Sequence, residues 1–256
     1  MNMFTHILMR EWTVYKRRIP YVVLTDCGLR VLFFGMVHGY LLPATGMPQG
    51  YGPSGMLYIG TFIFGLFSMV IAFSQELLTD YESDRHYDYL VMQSSAHTVF
   101  CAKLLFCTLI LWFLSIGNFI FAKLLLSHWL DTTHLSLVPL IIMLGIASYT
   151  VSAITLLCYA SLTSVVQVRM FWRRILVPLT FLGGYLAPWE IVYKVFPALG
   201  IAMYFNPIVY ILEGLRMAVF GPVTTLLYLY IILLGAVGCL CALVGIHAWR
   251  AKLDSL

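Results

Sequence analysis

The chain has 256 residues, of which 61% are hydrophobic and only 10% charged, with a formal net charge of +4. A soluble domain carries roughly 25% charged and 45–50% apolar residues, so an ordinary water-soluble globule is excluded and one polytopic, all-α integral membrane domain is expected. The small positive balance suits cationic loops at a membrane surface and gives no sign of nucleic-acid binding.

Residues 3–18 set Phe4, Ile7, Leu8, Trp12 and Tyr15 on one helical face, with Arg10, Glu11 and Lys16 to Arg18 at polar positions. That pattern predicts a helix lying in the membrane interface. The first apolar run starts near residue 19 and is too long for the core of a cleavable signal, so none is expected. Span 1 is read at about 19–42 and span 2 at about 56–78, joined by the uncharged, Pro- and Gly-rich PATGMPQGYGPSG. Span 3 is read at about 98–126 and span 4 at about 135–160, separated by a short polar turn with Trp129 and two histidines. A connector with three arginines, 161–174, precedes span 5, which starts near Ile175 and is broken by Gly183, Gly184 and Pro188. Mixed polarity follows to Thr224, then span 6 at about 225–248.

Six spans put both termini on one side. The leader, the 79–97 loop, the 161–174 loop and the tail together hold ten Lys and Arg; the opposite loops hold only Lys194 and Arg216. The positive-inside rule therefore predicts cytosolic termini.

The longest polar break is Gln75 to Lys103. Glu76, Asp80, Glu82, Asp84, Arg85 and Asp88 fall within thirteen residues there. So many charges between two spans cannot sit in hydrocarbon, so the segment is expected at the cytosolic surface. Its bland reading is a solvated acidic connector. Its sharper reading is a docking helix whose apolar side, Tyr87, Leu90, Val91 and Met92, enters a groove on a soluble partner while acids flank it. Ser94 or Ser95 is placed to cap span 3.

Residues 206–222, NPIVYILEGLRMAVFGP, carry a second signal. Asn206 is a good N-cap, Pro207 suits the first helical turn, and Gly221-Pro222 stops the helix. Glu213 and Arg216, three apart, are placed to pair. With GGYLAPWE at 183–190, including Trp189, this predicts a span that breaks, dips back and leads into a short amphipathic helix. Its plain alternative is a passive loop with one ion pair.

Asp26 and Arg30, four apart in span 1, share a face and are expected to pair; intramembrane ionisable groups are also functional candidates by default. Lys103 and Lys123 read as snorkelling anchors. Phe62, Phe64, Phe67 and Phe73 form a stripe on span 2 that, with Phe181 and Tyr185 of span 5, would line an apolar path, although such stripes more often serve packing. The cysteines at 27, 101, 107, 158, 239 and 241 all lie in apolar runs without metal spacing and read as small apolar side chains. The seven histidines are scattered, with no HExxH, and no catalytic set or metal site is expected. There is no phosphate-binding GxxxxGK[ST], so any ATP would be bound by another chain.

The order of these parts resembles the ABC-2 type permease family, the membrane subunits of ATP-driven exporters. Asn206-Pro207-Ile-Val-Tyr210 and Glu213-Gly-Leu-Arg216 look like the family's NP-x-x-Y-x-x-x-G/A-x-R signature, and Pro178-x-x-Phe181-Leu-Gly-Gly resembles its proline-led fifth span. The chain departs from the family after the Leu run, where Gln93 or Ser94 replaces a proline, and in span 1, where Thr25-Asp26-Cys27-Gly28 replaces another.

The resemblance implies six helices in a bacterial inner membrane and a dimer with a second copy or a related permease. It implies two cytosolic ATPase subunits that hold the ATP and magnesium, so this chain binds no cofactor. It makes 79–97 the coupling loop, with Asp80, Glu82, Asp84, Arg85, Asp88, Leu90 and Met92 at the contact. It makes 187–224 an outer gate, with Trp189, Asn206, Pro207, Glu213 and Arg216. Phe64, Phe67, Phe181 and Tyr185 would line the path of a glycolipid, polysaccharide or drug, in contact with membrane lipids. Two other readings stay open: a secondary transporter or membrane-embedded enzyme centred on Asp26 and Arg30, and a non-transporting scaffold.

Overall fold

The computed structural model describes residues 3–17, 19–34, 36–37, 58–69, 95–125, 135–162, 164–185, 187–221 and 224–254. Every regular element among them is helical. The expected coupling loop up to residue 94, Phe73, and the side chains of Asp26 and Cys27 lie outside the described residues.

Helix α1 (Met3–Tyr15) forms as expected, but its buried stripe is Ile7, Glu11 and Tyr15. These are spaced by four and so share one face. Trp12, placed by the sequence reading on the apolar face of an interfacial helix, sits about 100° round the helix from Glu11 and is 49% exposed. The stripe packs on the start of α5 (Ala96–Leu125): Ile7 clusters with Val99 and Ala102, and the Tyr15 and Phe106 rings lie 5.3 Å apart. Lys103, read as a snorkelling anchor, is instead buried, at 3% exposure.

The span 1 segment opens with α2 (Ile19–Val22), loosens into a π-helical stretch over Val23–Leu29, and regains α geometry in α3 (Arg30–Phe34). The wide turns coincide with Thr25-Asp26-Cys27-Gly28, a run of poor helix formers. Helix α4 (Tyr58–Met69) is the described part of span 2. The Tyr58 hydroxyl hydrogen-bonds the buried Asn118 side chain, joining α4 to α5.

The α5 helix starts at Ala96 because Ser95 caps it: the Thr98 N–H donates to Ser95 Oγ at 3.4 Å. With α6 (Leu137–Ser161) and α12 (Thr225–Asp254) it forms the long helices. The stretches His97–Leu125, Leu137–Ser161 and Thr225–Ala251 are each apolar and long enough to cross a membrane. Each exceeds the 20 or so residues that a hydrocarbon core of roughly 30 Å requires. A fourth span is counted if one sharply bent pair is taken as a unit. Among the described residues there are thus three or four spans where six were expected.

Helix α6 is the centre of the bundle. It buries Met143, Leu144, Ala147 and Val151. Its approach to α12 is close because Gly238 faces the Tyr149 ring, where an added Cβ would lie 2.6 Å from a ring carbon. Small residues at such contacts replace the hydrophobic driving force that lipid does not supply. The Thr150 hydroxyl also bridges to the Leu234 carbonyl at 3.1 Å. The other side of α12 exposes Leu226, Leu229, Ile232, Leu240 and Leu243.

The 161–174 stretch corrects the sequence reading, which made it a polar connector. Helix α7 (Val165–Phe171) begins inside it, capped by Ser164 Oγ, which accepts from the Gln167 N–H at 3.3 Å. It runs through a π-helical turn, Trp172–Leu176, into α8 (Val177–Leu182). Arg169, Arg173 and Arg174 are exposed, so the arginines ride on a helix instead of forming a loop.

Candidate functional site

Two groups of predicted residues come together. The first is the segment that follows α8, built from α9 (Trp189–Val195), α10 (Pro197–Met203) and α11 (Pro207–Phe220). The chain turns by 94° between α10 and α11. Asn206 makes that corner: its Oδ1 accepts from the Ile208 N–H at 3.0 Å and its Nδ2 donates to the Leu179 carbonyl at 2.6 Å. Pro207 occupies the first turn, where its missing N–H costs nothing. One side chain thus caps α11 and ties it to the end of α8.

Helix α11, expected as a short amphipathic helix on the outer side of the membrane, is buried along most of its length, at Ile208, Val209, Ile211, Leu212, Leu215, Ala218 and Val219, and packs on α6 and α12. The sequence carried the reason: its only charges, Glu213 and Arg216, neutralise each other inside. Arg216 Nη1 lies 2.7 Å from Glu213 Oε1, and Arg216 Nη2 donates to the Gly184 carbonyl at 2.6 Å. Glu213 Oε1 also accepts from the Trp189 N–H at 2.9 Å, satisfying an orphan donor at the start of α9. Arg216 is 4% exposed, and its Nε has no hydrogen-bond partner among the described residues. Trp189 Nε1 donates to the Gly200 carbonyl at 2.9 Å, and its ring stacks on Tyr193 with centroids 5.2 Å apart.

Glycines make this fold-back possible. Gly184 has φ +92°, a region that L side chains rarely adopt, and a Cβ there would approach the Ala187 carbonyl oxygen to 3.1 Å. At Gly183 a Cβ would meet Ile208 Cγ2 at 2.8 Å, so α8 and α11 touch only because residue 183 has no side chain. Gly184 and its carbonyl were not singled out as a contact for Arg216; the Gly-Gly pair was the available signal.

The second group is an aromatic seam between α4 and α8. Phe64 is its hub, with ring centroids 5.9 Å from Phe181, 5.7 Å from Tyr185 and 5.9 Å from Trp172. Phe181 and Tyr185 are 5.1 Å apart. Phe67 joins through Trp172 at 5.8 Å and is fully buried, whereas Phe181 is 47% exposed. All four predicted path residues thus lie along one seam. Sequence reasoning missed Trp172, because the arginines beside it read as a loop. Gly60 lets α4 approach the Tyr185 backbone, where a Cβ would collide with its carbonyl oxygen.

Arg30 borders this seam. Its Nη2 donates to Ser68 Oγ on α4 at 2.8 Å, and a Cβ at Gly65 would lie 2.7 Å from Nη1. The expected Asp26 pairing lies outside the described residues. Asp80, Glu82, Asp84, Arg85, Asp88, Leu90 and Met92 lie outside them as well. Among the described residues no group of three or more His, Cys, Asp or Glu side chains is placed to hold a metal, and Cys101, Cys107, Cys158, Cys239 and Cys241 are free thiols.

A bundle of long apolar helices with a polar corner folded against it is that of a multi-pass helical membrane protein. The sequence model of the ABC-2 type transporter family matches residues 2–220, and the chain belongs to that family. No curated protein matches the sequence.

Proposed function

We propose that this chain is the membrane subunit of an ATP-driven exporter in a bacterial inner membrane. Its cargo is an amphipathic or lipid-linked molecule, a glycolipid, polysaccharide or drug. The observation that carries the reading is the family match from residue 2 to 220, which takes in the polar stretch at 79–97 and the Asn206 to Arg216 signature. Family members are ABC permeases and normally work with an ATPase partner.

In this reading the chain crosses the membrane six times with both ends in the cytosol and pairs with a second copy or a sister permease. Two ATPase subunits, holding the ATP and magnesium, dock on Asp80, Glu82, Asp84, Arg85, Asp88, Leu90 and Met92. Their closure pushes this loop and tilts span 2. That motion opens the Phe64, Phe67, Phe181 and Tyr185 seam. The fold-back from Trp189 through Asn206 and Pro207 to Glu213 and Arg216 re-enters the membrane from the far side as the gate.

The test is charge reversal at the dock. In the reconstituted permease–ATPase complex, the D84K/D88K variant should keep ATP hydrolysis and lose transport by roughly tenfold or more, as expected when a docking contact of about 1.4 kcal/mol or more is removed. Wild-type coupling in that variant overturns the docking assignment. A permease that never purifies with an ATPase overturns the reading as a whole.

A further inference from the structure

We propose that the outer strip of α7 is a headgroup site for an anionic phospholipid of the surrounding bilayer, with Arg169, Arg173 and Arg174 holding its phosphate. The lipid is a resident of the fold and not cargo, so the site stands whether or not the chain is an exporter.

The strip is cationic and apolar at once. At about 100° per residue, Arg169, Arg173, Val166, Met170 and Arg174 fall within an arc of roughly 140°. All five are exposed, whereas Val168 on the opposite face is buried. Among the described residues none of the three arginines has an ion pair or a side-chain hydrogen bond. In sequence, no acid stands between Asp131 and Glu190. Arg169 and Arg173, four apart, repel each other on the bare helix. A phosphate between them replaces that repulsion with charge-assisted bonds, which a guanidinium can make in bidentate fashion.

Depth names the source of the phosphate. Helix α6 has 25 residues and so spans about 37 Å. That is more than the hydrocarbon core of roughly 30 Å and less than the roughly 40–45 Å that include both headgroup layers. Its last residue, Ser161, therefore ends among headgroups. Only residues 162–164 separate it from α7, too few to lift the strip out toward a soluble partner. Arg169 lies about 6 Å along the helix from Val165, and Arg173 and Arg174 about 12–14 Å, from where long side chains bend back toward the surface. Val166 and Met170 then meet the glycerol and first methylenes of the same lipid.

The site also bears on the seam. Arg173 and Arg174 belong to the π-helical turn Trp172–Leu176, and the Trp172 ring lies 5.9 Å from Phe64 and 5.8 Å from Phe67. A headgroup on the two arginines steadies the turn that sets Trp172 against α4.

The experiment is native mass spectrometry of the purified full-length chain with phosphatidylglycerol and phosphatidylcholine of identical acyl chains. Wild type should retain phosphatidylglycerol preferentially. The variant R169Q/R173Q/R174Q should lower that preference tenfold or more. Each single Arg→Gln change should lower it by up to roughly fivefold, the ratio for about 1 kcal/mol per basic residue at an anionic surface. Phosphatidylglycerol should also raise the melting temperature of wild type above its value in phosphatidylcholine and leave the triple variant unmoved, because a ligand of the folded state stabilises it. K16Q/R17Q removes two exposed cations at the end of α1 and should leave the preference unchanged.

An unchanged preference in the triple variant overturns the inference. So does an equal loss in K16Q/R17Q, which would mean attraction by net charge alone. Displacement of the lipid by inorganic phosphate would make the strip a free-anion site and overturn it as well. Loss of an ATPase partner from the triple variant, with lipid retention intact, would assign the arginines to a protein contact and overturn it too. If the triple variant does not fold, the single variants decide by the same measure. The assay needs neither ATP nor cargo, so its failure and the failure of the export reading are separate events.

Discussion

The fold-back at 183–220 and the aromatic seam adjoin each other through Gly184 and Tyr185, yet they are held by opposite means. The fold-back is a chain of directional bonds: Asn206 to Leu179 and Ile208, Arg216 to Glu213 and Gly184, Glu213 to Trp189, and Trp189 to Gly200. In an apolar medium such bonds are strong, and an unmade one is expensive, so they allow essentially one arrangement. The seam is mostly ring against ring at 5.1–5.9 Å, in edge-on and tilted geometries. These contacts are individually weak, and shifting a ring by a fraction of an ångström costs little. The transport reading proposed above asks for both properties, a corner that keeps its shape and a lining that yields to cargo, and the two groups lie one residue apart.

The largest expected effect is at the rigid end. Arg216→Met removes both bonds of the buried guanidinium and leaves Glu213 as an uncompensated charge. That should cost about 3–5 kcal/mol, seen as poor yield and a lower melting temperature in detergent. Adding Glu213→Gln should return part of the loss, because the stranded charge is then gone. A melting temperature within a degree or two of wild type for Arg216→Met would mean that the fold-back is not held by this pair.

Asn206→Ala comes next. It removes the α11 cap and the tie to Leu179 together, for about 2 kcal/mol in all. Asn206→Asp separates the two roles: it keeps an acceptor for the Ile208 N–H but has no donor for Leu179. It should recover about half of the loss in the same melting assay. Gly184→Ala should cost roughly 1–2 kcal/mol, since an alanine at φ +92° is strained and its Cβ crowds the Ala187 carbonyl.

The same contrast decides what was legible in the sequence. Asn206-Pro207 and Glu213-x-x-Arg216 are local patterns, and local physics reads them: a cap is decided within two residues and an ion pair within one helical turn. The long apolar stretches of α5, α6 and α12 were legible for the same reason. The partners that give these residues their setting are distant, such as Gly184 for Arg216 and Ser68 for Arg30, thirty-two and thirty-eight residues away. No periodicity encodes them. Helix α7 was missed although Ser164-Val-Val-Gln167 has capping-box spacing, because three arginines outweighed it in the reading. Glu11 was assigned by its charge to the wet side of α1. Its spacing of four from Ile7 and Tyr15, the better guide, put it inside.

The smallest expected effect on stability belongs to the seam, and it bears on function most directly. Phe64→Leu keeps an apolar side chain of similar bulk and loses three ring contacts. Ring pairs contribute about 0.5–1.5 kcal/mol each beyond burial, but leucine refills much of the space, so the net change in stability should be about 1 kcal/mol. Transport should respond differently from folding. If the rings are the surface along which cargo slides, Phe64→Leu should change the ranking of substrates in vesicle flux while ATP hydrolysis stays near wild type. The matched substitution Ile211→Leu, in the fully buried face of α11, should cost a similar amount of stability without re-ranking substrates. Equal re-ranking by both variants would show that the effect is global softening, and the seam would then be packing alone.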